Sequence, residues 1–218
     1  MRNLEGFLTW LKGRDWQAET VIDAGACYGT PALLSGFPNA YHILIEPVTE
    51  REARLQAILQ KYRGCYHLCA LSDAAGEGLL CVNPEAPAGA NLIHGAKTDR
   101  GARRVPVRRL DDLLGDHDLA RPIILKTDCQ GYDLRALKGA IALLKPQDIV
   151  IVEANLFHPA GDPTLGDFGE IVAWMRRHDW AVLDILSYQT RPRDGALGYV
   201  DLAFGHEKGP FRAAHSWV

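Results

Sequence analysis

Five short apolar runs punctuate the chain: Thr20–Ala24 (TVIDA), Tyr41–Ile45, Cys65–Leu71, Pro122–Thr127 (PIILKT) and Asp148–Glu153. Each is too short for a core helix and ends at a glycine, a proline or an acid, so each is expected to be a strand buried on both faces. Between them the apolar residues change period. Leu55, Ile58, Leu59 and Tyr62 recur at helical spacing, as do Leu134, Leu137, Ile141 and Leu144, and Phe168, Ile171, Val172 and Met175. Leu4, Phe7, Leu8 and Leu11 predict an N-terminal helix within residues 2–14, either a packed cap or a lid. Thr49 followed by Glu52 predicts a capping box, Pro31 suits the first turn of a helix, and Leu110–Leu114 reads as a short one. Ala181–Ser187 and Tyr199–Gly205 are joined by a polar loop with no room for a helix, so they are expected to pair antiparallel. Strands alternating with helices predict an α/β, doubly wound, Rossmann-like sheet of seven mostly parallel strands closed by a C-terminal antiparallel hairpin, with residues 1–218 forming a single domain. Residues 74–107 break the alternation. Gly78–Val82 and Arg104–Val107 flank a stretch rich in proline, glycine and asparagine, which predicts an inserted hairpin or flap.

Composition narrows the classes. Of 218 residues, 47% are hydrophobic and 23% charged, the balance of an ordinary globular chain. A formal net charge of −3 gives no broad positive field for nucleic acid. The basic cluster Arg100, Arg103, Arg104, Arg108 and Arg109 reads as a solvated loop and strand face. The five cysteines, Cys27, Cys65, Cys69, Cys81 and Cys129, are odd in number and lie mostly in apolar runs, which favours buried thiols over a disulfide framework. Charges throughout residues 2–14 speak against a signal peptide, and no apolar run reaches the roughly 18 residues of a membrane span. A cytoplasmic chain with no membrane partner is expected. The five tryptophans, Trp10, Trp16, Trp174, Trp180 and Trp217, are scattered and expected in the core.

Candidate chemistry collects at strand ends. The turn Asp23-Ala24-Gly25-Ala26-Cys27-Tyr28-Gly29 joins a strand to a helix. Gly25 lets the backbone pass close to a ligand, and Gly29 lets the helix start tight against the strand. Its G-x-x-x-G spacing does not meet the dinucleotide fingerprint, and Asp23 is unwelcome beside a diphosphate. Asp23 suits a ligand that carries an amino group and a sulfonium charge. Glu46, followed by Pro47, ends the second strand, where an acid can accept both ribose hydroxyls. Leu71, Ser72 and Asp73 end the third, where an adenine edge would lie. Asp128 ends the fourth, facing the same cleft, and either handles a proton, orients the ligand or caps the next helix. Lys126, Glu153 and His158 are further candidate bases, with His158 either catalytic or structural, and Asn155 and Asn91 are candidate substrate contacts. Cys65, His67 and Cys69 alternate on one strand face but lack partners for a zinc site. Asp128, Asp133 and Glu153 offer a set for a hard divalent cation, which is not favoured.

The run ILKTDCQGYDLRALKGA resembles the signature of the FkbM family of methyltransferases, a strand ending K-x-D, then Q-G or E-G, an acid and L-x-G-A. Asp23–Gly29 resembles the family's D-x-G-A turn, Ile45-Glu46-Pro47 its F-E-P element, Ala70-Leu71-Ser72 its A-L-S element, and Arg109-Leu110-Asp111-Asp112-Leu113 its T-L-D-D-L element. Asp133 stands where the family usually has glutamate, and Gln130 where many members do. The loop at Gly89-Ala90-Asn91 replaces a serine-rich segment often found there. The resemblance implies a class I methyltransferase fold and methyl transfer from S-adenosylmethionine, usually to an oxygen of a small molecule or sugar. The cofactor would then lie against Asp23, Gly25, Ala26, Gly29, Glu46, Pro47, Leu71, Ser72 and Asp128. The rival readings are a nucleoside-binding module without turnover and an NAD-dependent oxidoreductase.

Overall fold

The computed structural model describes residues 2–82, 91–93, 102–158, 162 and 164–216. Its centre is a seven-stranded sheet built from β1 (Thr20–Ala24), β2 (Tyr41–Ile45), β3 (Gly64–His67), β8 (Ile123–Thr127), β9 (Ile149–Asn155), β10 (Trp180–Thr190) and β11 (Leu197–His206), in the order β10-β11-β9-β8-β1-β2-β3. All neighbours run parallel except β11, which is antiparallel to both β9 and β10. The chain winds outward from β1 through β2 to β3, then crosses back to β8 beside β1 and winds the other way. That reversal between β1 and β8 opens a crevice at the carboxyl edge of the sheet.

Both faces of the sheet are covered, as the continuous apolar strands require. Ile22, Ile43, Leu125 and Val150 face one layer with α4 (Leu110–Leu114), α5 (Asp133–Lys138) and α6 (Phe168–Arg177). Val21, Ile124, Ile149 and Ile151 face α1 (Leu4–Lys12) and α2 (Pro31–Gly36), where Phe7, Leu8, Leu11 and Leu33 close the second layer. The N-terminal helix is thus a packed cap. Trp16, Trp174 and Trp180 are buried, Trp10 is half-buried against Phe211, and Trp217 lies outside the described residues. No helix among the described residues is long and apolar enough to cross a membrane.

Three local expectations give way. Thr49 does not cap a helix: Thr49–Arg51 is a 3-10 turn, α3 (Glu52–Leu59) starts at Glu52, and the Glu52 carboxylate accepts instead from the Tyr66 hydroxyl at 2.6 Å. The expected strand Cys65–Leu71 is two. β3 ends where β2 ends, because the backbone beyond His67 has no partner strand left there. Ala70–Leu71 (β4) then pairs with Val107 and Arg108 of a second sheet. The helix expected through Leu144 stops at Lys138: the Gly139 carbonyl accepts from the Asp111 amide, and the Leu143 amide, its helical partner, donates to the Asp111 carboxylate instead.

The second sheet, in the order β4-β7-β5-β6, takes in the segment expected to be a flap: β5 (Gly76–Cys81), β6 (Asn91–Ile93) and β7 (Ala102–Arg108). Its buried Leu80, Val105 and Val107 pack with Val48 and Ala70, which ties the insertion to the carboxyl edge. The arginines of this region are largely paired: Arg103 with Glu50 at 2.6 Å, Arg104 with Glu77 at 3.2 Å and Arg109 with Asp111 at 3.0 Å, while Arg100 lies outside the described residues.

Candidate functional site

A cavity of about 240 Å³ opens at the crevice. The turn after β1 supplies Gly25 and Cys27, the end of β2 Ile45, Glu46 and Pro47, the 3-10 turn beyond it Arg51, and the end of β8 Asp128, Cys129, Gln130 and Tyr132. Cys69, Ala70 and Leu71, with Leu80 of β5, close one side, and Glu153 of β9 and Tyr199 of β11 close the other.

The glycine turn is shaped by the protein's own acceptors. The Gly25 and Ala26 amides both donate to the Ile45 carbonyl, the Cys27 amide to Glu46, the Gly29 amide to the Ala26 carbonyl and the Thr30 amide to Asp23. Cys27 sits at φ 51, a left-handed conformation uncommon for a side-chain-bearing residue, and Gln130 has the same value on the facing turn. Gly25 is required twice over: its φ is +77, and a Cβ would fall 1.9 Å from the Asp128 carbonyl. An anion-binding turn offers unpaired amides. These amides are taken, which agrees with the missing dinucleotide fingerprint.

Glu46 is buried, and one oxygen accepts from the Val48 amide at 2.9 Å and faces Arg51 at 2.9 Å. The other accepts from Cys27 at 2.8 Å. A carboxylate has about four acceptor positions, so one remains for a ligand hydroxyl. Asp23 lies outside the cavity wall. One of its oxygens closes the turn on Thr30 at 3.0 Å and the other lies 3.9 Å from the Lys126 ammonium. Lys126 is also 3.2 Å from Asp128, whose second oxygen accepts from the Gln130 side-chain Nε2 at 2.8 Å. Burial alone would lower the Lys126 pKa, but Asp23, Asp128 and Asp201 outweigh it and hold the ammonium above the ordinary lysine range.

Asp133 is buried below this turn, and its two oxygens accept from the Cys129 and Gly131 amides. It therefore holds the Gln130–Gly131 turn in place. Burial, reinforced by Asp128, pushes its pKa to about 6 against the pull of those amides. Glu153 behaves differently. Its pKa is pushed to about 8 by burial first and then by Asp128, Asp133 and Asp201, with Lys126 opposing. Burial raises the thiols of Cys27, Cys69 (to about 11) and Cys129, so the three cysteines on the wall stay protonated and are poor nucleophiles. Of the five cysteines only Cys69 is fully buried; the others are half-buried.

Of the residues expected at the site, Gly25, Glu46, Pro47, Leu71 and Asp128 line the cavity together. Ala26 and Gly29 shape the turn behind it. The Ser72 amide is used by the Arg108 carbonyl and its hydroxyl by Asp73, so neither faces the cavity. Asn155 pairs with Tyr199 at the rim, and Asn91 stands opposite Cys81 in β6. Gly89 and Ala90 lie outside the described residues. His158 is exposed and away from the wall, 3.4 Å from the Leu165 carbonyl. Its ring, Asp167 and Glu170 place ligand atoms within 4.8 Å of one another, but the two acids form the capping box of α6, and a helix N-terminus repels a cation. Asp128, Asp133 and Glu153 form no such group among the described residues. Nor do Cys65, His67 and Cys69: Cys65 Sγ lies 3.7 Å from His67 Nε2, while Cys69 has left the strand. Sequence reasoning missed Arg51, Leu80, Tyr132 and Tyr199. The first and third adjoin recognised motifs, whereas Leu80 and Tyr199 come from strands whose position only the tertiary fold sets.

The wall's chemistry fits S-adenosylmethionine. Asp128 offers a carboxylate for an ammonium or a sulfonium, Glu46 one for ribose hydroxyls, and Ile45, Leu71 and Leu80 an apolar slot for a flat base. Among solved structures, the chain overlays Aeropyrum pernix fibrillarin, which holds natively bound S-adenosyl-L-methionine, with a TM-score of 0.50 over 92% of this chain and 76% of that one, at 10% identity. Burkholderia thailandensis 1,6-didemethyltoxoflavin-N1-methyltransferase, with bound 1,6-didemethyltoxoflavin and S-adenosylhomocysteine, gives a TM-score of 0.49 over 93% and 76%, at 15% identity. No curated protein matches. Residues 23–180 match the Methyltransferase FkbM domain, a span that holds the glycine turn, Glu46, the Asp128 run and Glu153. With that match over most of its length, the chain belongs to the FkbM family of S-adenosylmethionine-dependent methyltransferases.

Proposed function

We propose that the chain methylates a hydroxyl oxygen of a small molecule or sugar. The observation that supports this reading is the placement of carboxylates at both ends of one cavity, Glu46 at one and Asp128 with Glu153 at the other. Strand order puts β2 and β9 three strand spacings apart, roughly 14 Å. That is room for a nucleoside to reach from Glu46 toward the second pair. In this reading Glu46 gives its open acceptor position to a ribose hydroxyl, Leu71 and Leu80 cover the base, and Asp128 faces the ammonium of the methionine end. The cofactor, when bound, supplies a methyl group already activated by its sulfonium. The protein's work is then to align the acceptor, exclude water and take up a proton, and alignment alone can supply on the order of 7–11 kcal/mol.

The test has two parts. Isothermal calorimetry with S-adenosylhomocysteine should show binding, and none at millimolar ligand would sink the reading. Transfer of a labelled methyl group into a panel of sugars and small hydroxyl compounds should yield an ether. Label found only on nitrogen would overturn the oxygen assignment.

A further inference from the structure

We propose that Glu153 is the group that receives the acceptor's proton, while Asp128 holds the cofactor. This rests on the methyltransferase reading above. The two carboxylates sit at the ends of neighbouring strands, since Thr127 pairs with Val152, and both face the cavity. Their surroundings differ. Asp128 has the Lys126 ammonium on one oxygen and the Gln130 side-chain Nε2 on the other. Glu153 receives no hydrogen bond from the described residues. It is nine-tenths buried, and it pairs across the sheet with Asp201 of β11. The charged and titratable groups around it are Lys126 and Asp128 from β8 and its end, Asp133 from α5, and Tyr199 and Asp201 from β11. Three of these are acids of like sign, with Lys126 already held by Asp23 and Asp128. When the environments of two adjacent carboxyl groups are divided in this way, the two take different roles, and the one without hydrogen-bonded partners is left to handle the proton. As the acceptor oxygen gains the methyl carbon, the carbon–sulfur bond breaks with its electron pair left on sulfur, and the oxygen's proton passes to the Glu153 carboxylate.

The test needs no acceptor. A sulfonium beside Glu153 favours its ionised form, whereas the thioether of S-adenosylhomocysteine does not. The two ligands share the same amino-acid end, and any difference in how those ends titrate is common to wild type and variant, so the wild-type ratio compared with that of Glu153→Gln isolates the sulfur's effect on Glu153. Calorimetric Kd values should therefore show S-adenosylmethionine gaining on S-adenosylhomocysteine by roughly tenfold between about pH 7 and about pH 9. In Glu153→Gln that gain should be lost while both ligands still bind. A flat ratio in the wild type, or an equal rise in the variant, overturns the proposal and leaves the methyltransferase reading standing. Failure of the wild type to bind either ligand overturns that reading instead. If Glu153→Gln does not fold, Glu153→Asp replaces it: a displaced midpoint supports the proposal, and an unmoved one refutes it.

Discussion

Replacing Gly25 with alanine probes the turn at its tightest point. The perturbation has two parts. At φ +77 an L-residue costs about 1–2 kcal/mol. The new Cβ would also lie 1.9 Å from the Asp128 carbonyl, where real Cβ contacts do not fall under 3.0 Å, so the two turns must part by about 1.1 Å. That shift breaks the fit between β1 and β8, at a cost comparable to overpacking, about 1–3 kcal/mol. Together these are about 2–5 kcal/mol, a Tm lower by on the order of 10 °C for a chain of this size. Gly195 provides the control. Its φ is +73, but nothing lies within 4 Å of its added Cβ, so Gly195→Ala carries the dihedral cost alone. Calorimetric unfolding of both variants, with S-adenosylhomocysteine titrations, separates the contributions. Gly25→Ala should be the less stable and should lose ligand affinity, while Gly195→Ala keeps it. If Gly25→Ala is no less stable than Gly195→Ala and binds normally, the close approach of the two turns does not set the site.

Glu46→Gln should weaken S-adenosylhomocysteine binding by roughly 10- to 100-fold, the worth of one hydrogen bond to a charged group; an unchanged calorimetric Kd removes Glu46 from ribose binding. Asp167→Ala deletes the side-chain cap of α6, far from the cavity wall, and should lower stability by about 1 kcal/mol with ligand affinity intact, as read by urea unfolding and titration. Glu153 has a native pKa near 8 against an ordinary value of 4.5, so the native state binds that proton more tightly than the unfolded chain. It therefore subtracts stability as pH rises from about 4.5 to about 8, and fully above that. Glu153→Gln should raise Tm relative to wild type at about pH 9 and leave it unchanged at about pH 4; a parallel offset at both would contradict this.

The sheet was legible because burial on both faces leaves a strong mark: Ile22, Ile124 and Val150 sit in runs that no half-exposed strand would carry. The closing hairpin followed from a loop too short for a helix. What the pattern did not carry was where one strand's partners run out. Cys65–Leu71 reads as one run, but the split at His67 depends on β2 ending at Ile45, which is information from a different segment. Thr49 and Glu52 have the spacing of a cap, yet Tyr66 offered Glu52 a better partner across α3 and β3. At the site, Gly25, Glu46 and Asp128 were found because strand ends meet at the reversal. Leu80 and Tyr199 were not, because their approach depends on the packing of the second sheet and on the register of β11. His158 drew attention by residue type, and its exposed position beside the α6 cap gives no access to the cavity.

The turn at 25–30 closes on itself, with the amides of Gly25, Ala26, Cys27, Gly29 and Thr30 spoken for before any ligand arrives. A loop held by its own acceptors in this way carries less of the ordering penalty that flexible loops exact on binding. A ligand in the crevice thus meets a turn whose shape is already set. The rest of the enclosure, with Leu80 of β5 and Tyr199 of β11, is built on strands outside this turn, so a substitution there leaves the turn's hydrogen bonds in place.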